Sequence, residues 1–369
     1  KGEIIIMNIC FCSSAMIAGG AEKVIASLAN YFVKLGHKVT ILMVAGTKKE
    51  SFYTLSEDIN LIALCEGKKK ASRPIKRVIL LRKALKSLNP DIAISFLYHA
   101  SIYSYFALLG TRIPLLVSER NNPKKVPSNF LIRLLRNYVF KNASGIVFQL
   151  DEAKQYFNGK YRRGEVISNP VILNYHPVDS LISRKKKIIY VGSDKKEKNR
   201  KLLYDVFSIF YKNNPDYILE VYGIDSFDAD KEHLKKNGIV DSVKYCGFVE
   251  NWHALAFDAT AFILTSDFEG MPNALLEAHT LGIPCISTDC PPGGPREILE
   301  NGDGGILVGV GDAKKMAMEL ERLAADIKLQ RKFSKKGMDN RTKYNVEAIG
   351  DKWLALIEEI IKNKISTKG

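Results

Sequence analysis

Apolar residues recur along this chain in two alternating rhythms. Near the start, "EIIIMNICF" is an unbroken apolar run, the mark of a strand buried on both faces. "AEKVIASLANYFVKLG" instead places Val24, Ile25, Leu28, Phe32 and Leu35 at helical spacing, with Gly36 as a stop. "HKVTILMVA" reads as a strand again, and "RPIKRVILLRKALKSLNP" as a basic amphipathic helix closed by Asn89-Pro90. "DIAISFL", "PLLVSER" and "SGIVFQ" are further strands. Residues 171–187, "VILNYHPVDSLISRKKK", break the rhythm with prolines and a charge run, and read as a linker. Then the rhythm restarts. "KIIYVGS", "YILEVYG", "VKYCGF", "AFILTS" and "CISTD" are strands, separated by the helices "NRKLLYDVFSIFYKN", "ADKEHLKKNG", "WHALAFDA" and "PNALLEAHTLG". Two late helices, "AKKMAMELERLAAD" and "VEAIGDKWLALIEEIIKNK", follow. The fold class is therefore α/β, with a doubly wound parallel sheet in each half and a central cleft expected between two Rossmann-like domains, 1–175 and 176–345. Ligands of such sheets sit at the carboxyl ends of strands, so the loops to inspect are 13–22, 192–199, 247–250, 266–273 and 289–297.

Length and composition agree: 369 residues suffice for two domains, and 46% hydrophobic with 26% charged is globular. No apolar run approaches the ~20 residues of a membrane span, and the first residues read as a strand rather than a secretory leader. The six cysteines have no zinc-site spacing and are expected as reduced thiols; no metal is expected. Charge adds more. The net +15 is confined to residues 1–175, with 26 Lys and Arg against 11 Asp and Glu, whereas residues 176–369 carry 29 against 29. One half is built to meet something anionic.

The chemistry concentrates in "SDFEGMPNALLEAHTLGIPCISTD", residues 266–289. Strand, loop and helix follow one another, with Pro272 expected at the first helical position and Met271 and Asn273 beside it. The amides of such a helix start, with its dipole, make an anion site, and Gly270 allows close backbone approach. Glu277, about one turn into the helix, suits ribose hydroxyls, and Glu269 on the loop suits a second polyol. An anion site between two hydroxyl acceptors describes a nucleotide sugar. The plain alternative is a pair of solvated acids.

"FEGMPNALLEA" resembles the E-x7-E motif of retaining glycosyltransferases of the GT-B fold, family 4, and the resemblance extends over both halves. "GGAEKVIASLANYFVKLGHKVTIL" is similar to that family's first loop and helix, "YVGSDKKEKN" to its donor loop, and "LGIPCISTDCPPGGPREIL" and "NGDGGILVGVGD" to its closing segments. The resemblance implies a UDP-sugar donor, with Glu277 on ribose, Glu269 on the donor sugar, and loop amides and Lys198 on the diphosphate without a metal. Gly192, Ser193, Gly19, Gly20 and Val249 would line the donor site. It also implies that the last helix, 346–369 around Trp353, packs back on the first domain. Two departures stand out. Ser193 occupies the place of an arginine, whose guanidinium fork a lone ammonium cannot copy. "SERNNP" has Glu119-Arg120 where relatives that extend lipid-linked oligosaccharides carry Glu-His, leaving Glu119, Arg120 and His99 as acceptor-side candidates.

The basic half supplies the rest. "KKVPSNFLIRLLRNYVFKNA" puts Leu131, Leu134, Leu135, Tyr138 and Val139 on one helical face, flanked by Arg133 and Arg136 and preceded by Lys124 and Lys125. The stretch from Lys68 to Lys86 adds Lys68, Lys69, Lys70, Arg73, Lys76, Arg77, Arg82 and Lys83. Basic amphipathic helices can lie on anionic lipid, and the resemblance implies an acceptor on a polyprenyl diphosphate. Arg133, Arg136, Lys124 and Lys125 are the expected contacts, and the chain is expected to be cytoplasmic and peripheral on the plasma membrane. Nucleic acid is not expected, since no recognition motif accompanies the charge. The rivals are a GT-B-type UDP-sugar 2-epimerase and a non-catalytic membrane- or RNA-binding protein. An NAD-dependent dehydrogenase would need G-x-G-x-x-G, which "AGGAEK" lacks.

Overall fold

In a computed structural model, residues 6–46, 51–66, 73–173, 183–224, 226 and 228–366 are described. Lys68, Lys69 and Lys70 of the basic stretch, and most of the expected linker, lie outside them. The chain divides into two compact units, Lys1–Pro170 with Asn345–Gly369, and Val171–Tyr344.

The first unit holds a seven-stranded parallel sheet in the order β3-β2-β1-β4-β5-β6-β7. Its strands are β1 (Asn8–Ser13), β2 (Lys38–Met43), β3 (Asn60–Ala63), β4 (Ile92–Phe96), β5 (Leu115–Ser118), β6 (Gly145–Phe148) and β7 (Gly164–Val166). The crossover helices are α1 (Gly20–Lys34), α2 (Pro74–Leu88), α3 (Leu97–Leu108), α4 (Phe130–Asn142) and α5 (Asp151–Tyr156). The sheet order reverses direction between β1 and β4, the switch point at which such sheets take ligands. The edge strands β3 and β7 have four and three residues, too few to show a period in sequence. Helix α3 is hidden for another reason: its buried face is Ala100, Ser101, Ser104 and Ala107 with Leu108, so small and polar residues blur the apolar stripe.

The second unit repeats the plan in six parallel strands, β10-β9-β8-β11-β12-β13. These are β8 (Lys185–Val191), β9 (Ile218–Tyr222), β10 (Val243–Gly247), β11 (Ala259–Leu264), β12 (Cys285–Thr288) and β13 (Ile306–Val308). The helices are α6 (Arg200–Tyr211), α7 (Lys231–Asn237), α8 (Trp252–Ala256), α9 (Asn273–Leu281), α10 (Gly294–Ile298), α11 (Ala313–Ala325), α12 (Ile327–Asp339) and α13 (Arg341–Tyr344). Helix α14 (Val346–Ser366) belongs to the first unit. Its Ile349, Trp353, Leu356, Ile357 and Ile360 join a core with Phe11, Phe32 and Phe96. Trp353 is fully buried and stacks on Phe96 at 5.6 Å between ring centroids. Removing an indole of that size from water is worth roughly 5 kcal/mol, which fixes α14 there.

Candidate active site

The loops after β8 and β11, neighbouring strands at the second unit's switch point, are stitched together. Fully buried β11 delivers Thr265 and Ser266 to the loop. Thr265 Oγ1 donates to the carbonyls of Lys198 and Asn199 at 3.1 and 3.2 Å. Asn199 Nδ2 donates to Asp267 Oδ1 at 2.7 Å, and the Asp267 N–H to the Glu197 carbonyl at 2.8 Å. Asn199 itself adopts left-handed backbone (φ 46°), ending the turn of Lys198 and capping α6 through the Leu202 N–H. This lacing delivers Lys198 Nζ to Glu269 Oε1 at 2.5 Å, where Ser266 Oγ also donates at 2.7 Å. Lys198 and Glu269, 71 residues apart in sequence, thus form one largely buried charged pair.

A third loop, after β12, props the tip of α9. Thr288 Oγ1 donates to the Ser266 carbonyl at 2.6 Å, and the Glu269 N–H to the Pro291 carbonyl at 3.0 Å. A Cβ at Gly294 would stand 1.8 Å from the Gly270 carbonyl oxygen, so only glycine fits where these two loops touch. Pro272 proves to be the cap of α9 rather than its first helical residue, with φ −72° and ψ 110°. Gly270, Met271 and Pro272 are buried, and Asn273 is half-buried. No acidic side chain occupies the first turn, so the positive end of the helix dipole is unanswered there.

Glu277 is buried, and its Oε2 lies 2.9 Å from His253 Nε2 on α8. His253 Nδ1 is buried with no hydrogen-bond partner among the described residues. The sequence reading missed this histidine; its only signal was a ring on the buried side of the short helix "WHALAFDA". Arg200 was missed too. Its Nε and Nη2 donate to Asp230 at 2.8 and 3.2 Å, and its Nη1 pairs with Asp194 of the loop after β8. Ser193 is half-buried and makes no hydrogen bond among the described residues. The glycine at 192 is dictated by packing, since a Cβ would meet the Tyr190 hydroxyl at 2.4 Å. Val249 is half-buried two residues beyond β10.

The first unit holds the donor-side candidates Gly19 and Gly20 and the acceptor-side candidates His99, Glu119 and Arg120. Gly19 is extended (φ −163°) and caps α1, where a Cβ would strike Glu22 Oε2 at 2.2 Å. The Glu22 carboxylate thus already answers the dipole of α1, with Gly20 the first helical residue. His99 is exposed in the first turn of α3, its ring tilted 33° to that of Tyr98. Glu119 and Arg120 are both buried directly after β5.

The basic surface needs correction. Arg136, expected at a lipid surface, is fully buried. Its Nη1 pairs with Glu119 Oε2 at 2.7 Å, Nη1 and Nη2 reach the Val126 and Pro123 carbonyls, and Phe140, Tyr156 and Phe157 surround it. Burial lifts the Glu119 carboxyl above the usual range, opposed by Arg136. Arg133 folds back onto the Pro127 carbonyl at 3.0–3.1 Å, whereas Lys124 and Lys125 are exposed. The core side of α4 is Arg136, Val139 and Phe140, so most of its apolar stripe points outward. Phe130, Leu131, Leu134 and Tyr138 are 65%, 72%, 49% and 53% exposed. On α2, which like α4 contacts α3, Ile75 and Ile79 are 76% and 61% exposed. Among the described residues, no helix is long and apolar enough to cross a membrane.

Comparison with known proteins fits this geometry. Residues 18–175 match a family model described as Glycosyltransferase Family 4, and residues 174–339 one described as Glycosyl transferases group 1. A Campylobacter jejuni relative is 28% identical over 366 residues, covering 96% of this chain and 99% of its own. It is named as an alpha-1,4-N-acetyl-D-galactosaminyltransferase of a GalNAc-extended diNAcBac-PP-undecaprenol. Among solved structures, sucrose-phosphate synthase from Thermosynechococcus elongatus superposes with a TM-score of 0.81 at 16% identity, over 97% of this chain and 100% of that one. Anabaena HepE in complex with UDP superposes with a TM-score of 0.75 at 16% identity, over 96% of this chain and 100% of that one.

Proposed function

Because the chain belongs to the family 4 glycosyltransferases of GT-B fold, we propose that it moves a hexose or N-acetylhexosamine from UDP to a lipid-linked glycan, with retention at the anomeric carbon. The observation that carries the reading is the Lys198–Glu269 pair beside the amino end of α9. A leaving diphosphate gathers negative charge, and preorganised donors in a largely buried site stabilise it better than water would. Lys198 and the amide N–H groups of Gly270, Met271 and Asn273 supply that charge, without a metal. Glu269 accepts from hydroxyls of the donor sugar, and Glu277, oriented by His253, from the ribose. The relative named for an undecaprenol-diphosphate glycan supports a polyprenyl diphosphate acceptor. The exposed apolar residues of α2 and α4, with Lys124 and Lys125 nearby in sequence, support docking to an anionic membrane from the cytoplasmic side.

A thermal-shift panel of UDP-, GDP- and ADP-sugars tests the donor. A ligand at a hundred times its Kd adds about 2.7 kcal/mol, so the true donor stands out. With that donor and a synthetic polyprenyl diphosphate glycan, NMR of the product reads the anomeric configuration. Conversion of UDP-GlcNAc to its 2-epimer without acceptor, or full transfer by Glu277→Ala, would refute the proposal.

A further inference from the structure

Arg120 stands two residues beyond β5 and is 7% exposed. Its Nη1 donates to Asn169 Oδ1 at 2.6 Å, which also accepts from Gln149 Nε2 at 2.8 Å. Its Nε and Nη2 are buried and have no acceptor among the described residues. Those two nitrogens form the edge of the guanidinium fork that takes two oxygens of one anion. The flat face of the group lies over Phe96 at 4.6 Å and Trp353 at 5.5 Å, which holds it rigid without neutralising it. Nor does Glu119 neutralise it. One oxygen of that carboxylate is taken by Arg136 at 2.7 Å, the other by the N–H groups of Arg120 and Asn121 at 3.0 and 3.1 Å. Two buried guanidinium groups therefore stand near one carboxylate, which pairs with Arg136, and one positive charge is left over. Burial pushes the Arg120 guanidinium down to about 9, with Glu119 opposing. An unpaired buried charge is a standing cost to the fold, which an incoming anion would remove.

A second feature lies next to it. Phe96 is the cap of α3 and contributes no side-chain bond to the helix start. Leu97, the first helical residue, has φ 65°, a region that a leucine rarely adopts and that concentrates at functional positions. Phe96 pairs with Ser118 in the sheet, so the strained turn after β4 and Arg120 after β5 occupy adjacent strand ends, beside the switch point.

We propose that Arg120 Nε and Nη2, with the amino end of α3, form a phosphate-binding site in the first unit, built from none of the residues assigned to the diphosphate around Lys198. Neither nitrogen reaches water, so the anion enters through a local opening of these strand-end loops. Assigning the phosphate to the acceptor's polyprenyl diphosphate rests on the function proposed above; the site itself does not.

The test uses the full chain carrying Lys198→Ala, which disables the anion site of the second unit. Inorganic pyrophosphate and geranyl diphosphate are titrated by calorimetry. Pyrophosphate binding is expected to persist in this background, to weaken roughly tenfold on adding Arg120→Lys, and to vanish on adding Arg120→Met. Tighter binding of geranyl diphosphate than of pyrophosphate identifies a lipid diphosphate as the source, whereas equal affinities identify the phosphate alone. Arg120→Met without ligand is expected to unfold at the same or higher urea concentration, because it deletes an uncompensated charge. A residue kept only for stacking would lose stability instead. Undiminished pyrophosphate binding by Arg120→Met overturns the proposal. So does a folded Arg120→Lys that binds as tightly as the parent, or no binding in the Lys198→Ala background. A failed donor screen leaves these outcomes untouched, so the two readings fail separately.

Discussion

Replacing Glu269 by Gln keeps a hydrogen-bonding oxygen for Ser266 but removes the charge that faces Lys198. At 2.5 Å, with both side chains under a fifth exposed, the bare attraction at an effective dielectric of 20 is about 7 kcal/mol. Desolvation and partial exposure reduce this to a net of about 2 kcal/mol, the usual scale of a charge-assisted bond. The second unit should therefore lose about 2 kcal/mol, or roughly 4–8 °C in melting temperature for a unit of this size. Lys198→Met should lose a similar amount, and the double variant little more, giving a coupling energy of about 2 kcal/mol in a double-mutant cycle. UDP then separates the two partners. In Glu269→Gln the diphosphate becomes the anion that Lys198 lacks, so UDP affinity stays level or rises while sugar transfer collapses. In Lys198→Met the affinity falls at least about tenfold, the share of one charged hydrogen bond. Urea unfolding read by hydrogen exchange in peptides of β11 and α9, with calorimetric titration of UDP, measures both quantities. Additive stability losses, or an equal weakening of UDP by both substitutions, would refute the assignment of Lys198 to phosphate and Glu269 to sugar.

Gly294→Ala sets a Cβ 1.8 Å from the Gly270 carbonyl, a backbone atom that cannot swing aside, so the two loops must part. UDP affinity should drop at least about tenfold by calorimetry, while circular dichroism keeps its α/β signature. His279 is buried against Gly304 and Gly337, and burial pushes its imidazole down from 6.5 to about 4. The unfolded chain takes up a proton as pH falls through 6.5 and the folded unit does not, so stability is lost between there and about 4, some 3 kcal/mol in all. His279→Gln should flatten that acid slope in urea midpoints measured between about pH 7 and about pH 5. Leu131→Glu with Leu134→Glu alters side chains that are 72% and 49% exposed, so the melting temperature should hold within about 1 °C while sedimentation with anionic vesicles is lost.

Much of this protein was legible without coordinates. The two rhythms of apolar residues identified the central strands and most crossover helices, because a strand buried on both faces and a helix buried on one leave different periods. The loop bearing Glu269 and the helix bearing Glu277 could be placed from local chemistry alone, since loop, glycine, proline and helix lie consecutively in the chain. What depends on residues far apart could not be read this way. The meeting of Lys198 with Glu269, of His253 with Glu277 and of Arg136 with Glu119 is decided by which strand ends lie side by side. Arg136 shows the physical reason most plainly. Helical spacing placed it on the rim of an apolar stripe, but spacing cannot say which side of a helix is covered. Tyr156 of α5, Phe157 just after it and the Pro123 and Val126 carbonyls cover the side bearing Arg136 and Phe140, leaving Leu131 and Leu134 outside and the arginine enclosed with the Glu119 carboxylate.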